Sequence, residues 1–108
     1  MSVNLGIIGL GWMGKIHVKF ANSNKDCNLV ALCDKDLKKT NELAKKYNVM
    51  GYQDYKELLL NKDIEAVIIA TPPTLRYQLI KDCIDVNTHV LCEKPLGVTR
   101  SLSEDKYF

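Results

Sequence analysis

The stretch Gly9-Leu10-Gly11-Trp12-Met13-Gly14 constrains this chain more than any other, because of what lies on either side of it. Before it, Val3-Asn4-Leu5-Gly6-Ile7-Ile8 reads as a β-strand that runs straight into the first glycine. After it, Met13, Ile16, Phe20 and Ala21 recur with the 3.6-residue period of a helix and are expected to face the core. Glycines at this spacing between strand and helix answer three separate steric demands. The first allows a tight turn, the second lets a ligand's phosphates approach the backbone, and the third lets helix and strand pack closely. Unpaired N–H groups near Trp12 and Met13, at a helix N-terminus, suit an anion.

The rest of the chain keeps alternating. Leu29–Cys33 is a nearly all-apolar run, as a strand covered on both faces should be. Leu37, Thr40, Ala44 and Tyr47 then share one helical face, with Asp36 as the expected N-cap. A short third strand fits Val49–Tyr52, and Asp54 followed by Glu57 resembles a capping box that opens a helix through Leu58-Leu59-Leu60. Ala66–Ala70 is the most apolar run and reads as a central strand, stopped by Pro72-Pro73. Thr74 is the expected cap of a helix carrying Leu75, Leu79, Cys83 and Val86, and Thr88–Cys92 is the fifth strand. This order predicts an α/β domain, a Rossmann-type doubly wound parallel sheet of five strands with helices on both faces. Ser101-Leu102-Ser103-Glu104 offers one more cap, followed by only four residues, too few for a helix that buries a useful face. The expectation is therefore a single domain over residues 1–108, cut short near its C-terminal end.

Composition narrows the partners. A chain of 108 residues buries roughly 65% of its unfolded surface, enough for one core without staples. A net charge of +2 with scattered lysines argues against nucleic acid or an anionic membrane as a partner. No apolar run approaches the roughly 18 residues of a membrane span, and the N-terminus enters a strand without a cleavable leader, so a cytoplasmic location is expected. Cys27, Cys33, Cys83 and Cys92 show no metal-ligand spacing, so no metal is expected. Cys33 and Cys92 end the second and fifth strands, about 14 Å apart at about 4.8 Å per strand, too far to bridge. The edge beyond the fifth strand is open, which makes self-association possible.

The chemistry collects where strands end. Asp34 follows the second strand 20 residues after Gly14 (34 − 14), where a carboxylate takes the ribose hydroxyls of a dinucleotide. Asp36 is available to cap the next helix, which leaves Asp34 to the ribose. An acid here repels a 2′-phosphate, so NAD is favoured over NADP, although Lys35 beside it can tolerate the phosphate. Thr71 and Pro72 end the fourth strand beside the glycine loop, and Glu93-Lys94-Pro95 follows the fifth. From position alone Lys94 is either a donor to a substrate oxygen or ribose, or a solvated lysine paired with a carboxylate. His17, on the first helix, and His89, within the fifth strand, read as structural.

Gly9–Gly14, Asp34, Ala70-Thr71-Pro72 and, above all, His89-Val90-Leu91-Cys92-Glu93-Lys94-Pro95 resemble the N-terminal domain of the Gfo/Idh/MocA oxidoreductases, from Val3 to about Ser103. The resemblance implies that Gly9, Gly11, Trp12, Met13, Gly14, Asp34, Thr71 and Pro72 hold NAD(P). It implies that Lys94 is the lysine between nicotinamide and substrate that assists hydride transfer at a sugar or polyol carbon, and that Glu93 supports the same end of the cofactor. The family often has His at the position of Arg76, whose side chain either touches a phosphate or, as preferred here, faces solvent. Family members exceed 300 residues and carry their substrate pocket in a second domain, so the resemblance implies that the substrate-binding domain is absent from these 108 residues. The chain alone is thus expected to bind cofactor without efficient turnover. The alternatives are a non-catalytic dinucleotide-sensing or interaction module, and a remnant that no longer folds.

Overall fold

Alternation along the strands decides which side chains meet which layer. In β1 (Val3–Ile8), Leu5 and Ile7 point to one face of the sheet and Ile8 to the other. In β2 (Cys27–Cys33), Leu32 joins the first face while Ala31 and Cys33 join the second. In β4 (Ala66–Ile69), Ile68 goes to the first face and Val67 and Ile69 to the second. Two cores result, one per face, as a sheet buried on both sides requires. The computed structural model from which this is read describes residues 2–92.

The sheet is closed on the first face by α1 (Trp12–Ser23) and α2 (Leu37–Tyr47), and on the second by α3 (Tyr55–Leu59) and α4 (Pro73–Asp85). With β3 (Met50–Tyr52) and β5 (His89–Cys92), the five strands are all parallel in the order β3-β2-β1-β4-β5. The chain builds outward from β1 on one side, then crosses to β4 on the other. The reversal leaves a crevice between the carboxyl ends of β1 and β4, the place where open α/β sheets bind ligands. The five-strand parallel sheet is as expected, with strand bounds shifted by one residue in β3, β4 and β5, and β2 starting at Cys27 rather than Leu29. Asp36 caps α2, accepting from Lys39 N–H at 3.1 Å, and Asp54 caps α3, accepting from Lys56 N–H at 2.9 Å. Cys27, Cys33 and Cys83 are not in disulfides, and β2 lies three strands from β5. Among the described residues no helix is long and apolar enough to cross a membrane, and no cluster of His, Cys, Asp and Glu is placed to hold a metal ion.

Two helical faces differ from expectation. In α1 the buried residues are Gly14, Val18 and Ala21, whereas Met13, Ile16 and Phe20 are 37%, 43% and 59% exposed. Positions 14, 18 and 21 obey the 3.6-residue period as well as the bulkier set does, so periodicity alone leaves the phase open. Gly14 fixes it: a β-carbon there would overlap the Gly9 carbonyl oxygen, so this side must press on the loop and strand. In α4 the buried stripe is Arg76, Leu79, Ile80 and Cys83, while Leu75 and Val86 face outward. That helix starts at Pro73, with Pro72 as an N-cap lacking a side-chain bond, so Thr74 lies in the first turn rather than capping it. Proline needs no N–H partner at a helix start. The expected cap at Ser101–Glu104 lies outside the described residues.

Candidate functional site

Three strand ends meet at the crevice. The Gly9 N–H donates to the Cys33 carbonyl at 2.8 Å, which ties the glycine loop to the end of β2. The Ala70 N–H donates to the Ile8 carbonyl at 2.8 Å, which ties the end of β4 to the same loop. Gly9 has φ +100°, a left-handed conformation that L side chains rarely adopt. A β-carbon on it would lie 2.8 Å from the Ala70 carbonyl carbon and oxygen. Gly9 and Gly14 are thus required by the protein's own packing.

Gly11 is different. Its φ is −72°, open to any residue, and a β-carbon built on it meets nothing within 4 Å. No steric demand of the fold explains a glycine there, and Gly11 lines the crevice. Gly11 is also the N-cap of α1, with no side-chain bond to the helix and no acid in the first turn. The helix N-terminus therefore presents its N–H groups and partial positive charge to whatever occupies that space. These are the properties of a cradle for an anionic group that approaches backbone closely.

Asp34 stands at the end of β2 on the opposite wall. Its Oδ2 accepts from the Leu10 N–H at 2.7 Å and its Oδ1 from the Asp36 N–H at 2.9 Å. Asp36 takes the α2 cap as expected, and the Asp34 carboxylate in addition pins the glycine loop to the β2–α2 turn. Each oxygen still has a second lone pair for a ligand hydroxyl. The loop holds the side chain in place before any ligand arrives.

The cleft so formed has a volume of about 960 Å³, and its walls include Gly11, Trp12, Met13, Asp34, Thr71 and Pro72. All eight described positions expected to bind cofactor line it or build its loop. Trp12 is 77% exposed at the mouth. Glu93 and Lys94 lie outside the described residues. A second hollow, of about 520 Å³, sits at the amino ends of β4 and β5 beside Asn61, Glu65 and His89, far from the glycine loop. His17 is half-buried on α1, and His89 is exposed at the start of β5.

Arg76 corrects the expectation of a solvent-facing side chain. It is only 5% exposed, lines the cleft, and donates from Nε to the Thr71 carbonyl at 2.9 Å. The guanidinium therefore braces the Thr71-Pro72 turn. Its place on the α4 stripe with Leu79, Ile80 and Cys83 was the signal, hidden by the habit of reading charge as exposure. The Thr71 hydroxyl oxygen is buried and makes no hydrogen bond among the described residues, a donor and acceptor left for a ligand. Burial, helped by the Asp34 charge, pushes the Cys33 thiol up to about 12, so this cysteine at the cleft wall stays a protonated, inert packing group.

The chain matches the sequence profile of a family described as "Oxidoreductase family, NAD-binding Rossmann fold" over residues 3–105. It is 33% identical to the inositol 2-dehydrogenase of Salmonella typhimurium over 102 residues, which are 92% of this chain and 30% of that enzyme. It is 31% identical to the myo-inositol 2-dehydrogenase of Thermotoga maritima, over 96% of this chain and 33% of the relative. Among solved structures it resembles the scyllo-inositol dehydrogenase of Lactobacillus casei with bound NAD(H) and scyllo-inositol. That match has a TM-score of 0.86 at 28% identity, over 92% of this chain and 30% of that one. The chain thus spans about a third of the length of the proteins it matches.

Proposed function

The chain belongs to the Gfo/Idh/MocA oxidoreductase family, and on that premise we propose that it is the NAD(P)-binding domain of an oxidoreductase that moves a hydride between nicotinamide and a sugar- or polyol-type substrate. The observation that carries this reading is Gly11, a glycine that no steric contact of the fold demands, lining the crevice at a helix N-terminus that has no side-chain cap. In this reading the loop from Gly9 to Gly14, with the N–H groups near Trp12 and Met13, holds the pyrophosphate. Asp34 takes the hydroxyls of the adenosine ribose with the lone pairs that Leu10 and Asp36 leave over. Thr71 and Pro72, braced by Arg76, lie toward the nicotinamide half.

Nicotinamide, when bound, supplies the hydride acceptor or donor. Lys94, two residues beyond β5 in the sequence, is assigned the role of donating a hydrogen bond to the substrate oxygen, and Glu93 that of supporting the same end of the cofactor. The polyol assignment rests on the inositol dehydrogenases among the relatives. Hydride transfer needs substrate held roughly 3–3.5 Å from nicotinamide in aligned geometry. The cleft walls described here offer no such clamp, so these 108 residues bind cofactor without efficient turnover. Titration with NAD and NADH, followed by calorimetry or nicotinamide fluorescence, tests the reading. Saturable binding is expected, and none up to millimolar would contradict it; rapid NAD reduction with inositol by the 108 residues alone would contradict the division of labour.

A further inference from the structure

We propose that the 108-residue protein pairs with a second copy of itself along the outer edge of β5, about a two-fold axis at Leu91, so that two five-stranded sheets become one continuous sheet. This goes beyond the cofactor reading and does not depend on it. The first observation is the edge itself. β5 is the last strand in the sheet order, with β4 on one side and no described residue paired to it on the other. The His89 N–H donates to the Glu65 carbonyl at 3.1 Å, on the β4 side. Main-chain groups alternate in direction along a strand, so His89 and Leu91 turn theirs toward β4, and Val90 and Cys92 turn theirs outward. The register with β4 runs unbroken from His89 to Cys92, and the strand holds no lysine, proline or bulge of the kind that guards an exposed edge. The opposite edge, β3, is blunted by its length of three residues, one of them Gly51.

The second observation is what flanks that edge on each face. On the first face Leu91, in register with Ile68, is 63% exposed. On the second, α4 packs over β5 while α3 packs over β2 and β3. Asp82 marks the flank of α4 that meets α3, since it accepts from the Tyr55 hydroxyl. Tyr77 and Ile84, two turns apart, lie on the other flank, over the edge of β5, and each is 50% exposed. The third observation is that these features are self-complementary. A two-fold axis perpendicular to the sheet sets β5 antiparallel to β5 of the second copy. With the axis at Leu91, Val90 of each copy faces Cys92 of the other and exchanges both main-chain bonds with it, so every outward group of the strand finds a partner. Leu91 then meets Leu91 of the second copy at a non-hydrogen-bonded position, where side chains come closest. Centring on Val90 instead would set Cys92 against Thr88, whose N–H is already given to the Cys83 carbonyl at 2.9 Å. The same axis turns the Tyr77–Ile84 flank toward its twin. A single operation thus covers the open edge, the exposed leucine and the apolar flank.

The test is sedimentation of the 108-residue protein and its variants from micromolar to millimolar concentration, each first shown to be folded by circular dichroism. One short strand pair with a helix flank is a small interface, so a dimer with a dissociation constant of roughly 10–100 μM is expected. Leu91→Lys sets two ammonium groups opposite each other and is expected to raise that constant at least about tenfold. Ile84→Lys should weaken the dimer from the helix side. Met50→Lys, at a residue 55% exposed on the opposite edge strand, should leave it unchanged. Leu91→Cys in a Cys92→Ser background should give a disulfide-linked dimer on mild oxidation, because the α-carbons of such a pair lie about 4.5 Å apart. A folded wild type that stays monomeric at millimolar concentration overturns the proposal. So does a dimer indifferent to both Leu91→Lys and Ile84→Lys, or one that Leu91→Cys fails to cross-link.

Discussion

Both oxygens of Asp34 accept main-chain N–H groups, so replacing this residue has two separable effects. Asp34→Ala leaves the part-buried Leu10 N–H without a partner, an expected loss of about 1–3 kcal/mol of stability measurable by urea denaturation. It also removes the proposed acceptor of the ribose hydroxyls, so affinity for NAD should fall more than affinity for NADP, as fluorescence titration would show. A greater loss for NADP would mean that the ribose assignment is wrong. The two effects were unequally visible in the sequence. The acid's distance from Gly14 pointed to the proposed ribose role, whereas its grip on Leu10 depends on how the β1 and β2 ends lie side by side, which spacing does not reveal. Arg76 shows the reverse fault, since its charge suggested solvent while its position four residues before Ile80 placed it on the buried stripe of α4.

The elements are held by different means, and single changes should separate them. In α1, Val18 is 1% exposed and Phe20 is 59% exposed. Val18→Ala is expected to cost about 1–3 kcal/mol, and Phe20→Ser to stay within about 0.5 kcal/mol, by chemical denaturation. The opposite order would mean that the helix is rotated from the phase Gly14 imposes. Between α3 and α4, the Tyr55 hydroxyl donates to Asp82 Oδ2 at 2.6 Å. That bond, with one from Gln78, holds the Asp82 carboxyl below the ordinary range, while burial and the Asp82 bond push the Tyr55 hydroxyl up to about 12. A lowered carboxyl favours the folded state fully above its unfolded value of about 4, and that contribution is lost as pH falls through the lower folded value. Tyr55→Phe should therefore reduce stability at neutral pH and flatten its acid-side decline. A pH–stability curve parallel to the wild type's would contradict the tie.

At the scale of the molecule, the order of elements and the parallel sheet followed from the alternation of apolar runs with helical stretches, because each βαβ step has few topological options. The rotation of α1 and the start of α4 did not, because both depend on contacts between elements distant in sequence: Gly14 with Gly9, and the α4 stripe with the sheet. The same division applies to the site. The strand–glycine–helix motif pointed to the crevice, and the structure sorts its glycines into two that the fold demands and one that it does not. Gly11→Ala, titrated with NADH beside the wild type and melted in parallel, is the direct test. A melting temperature lowered by no more than a few degrees is expected, the cost of alanine for glycine at the N-cap, with cofactor affinity lowered about tenfold or more, since the added methyl lies where the proposed pyrophosphate contact is made. Undiminished NADH binding in a folded Gly11→Ala protein would contradict it.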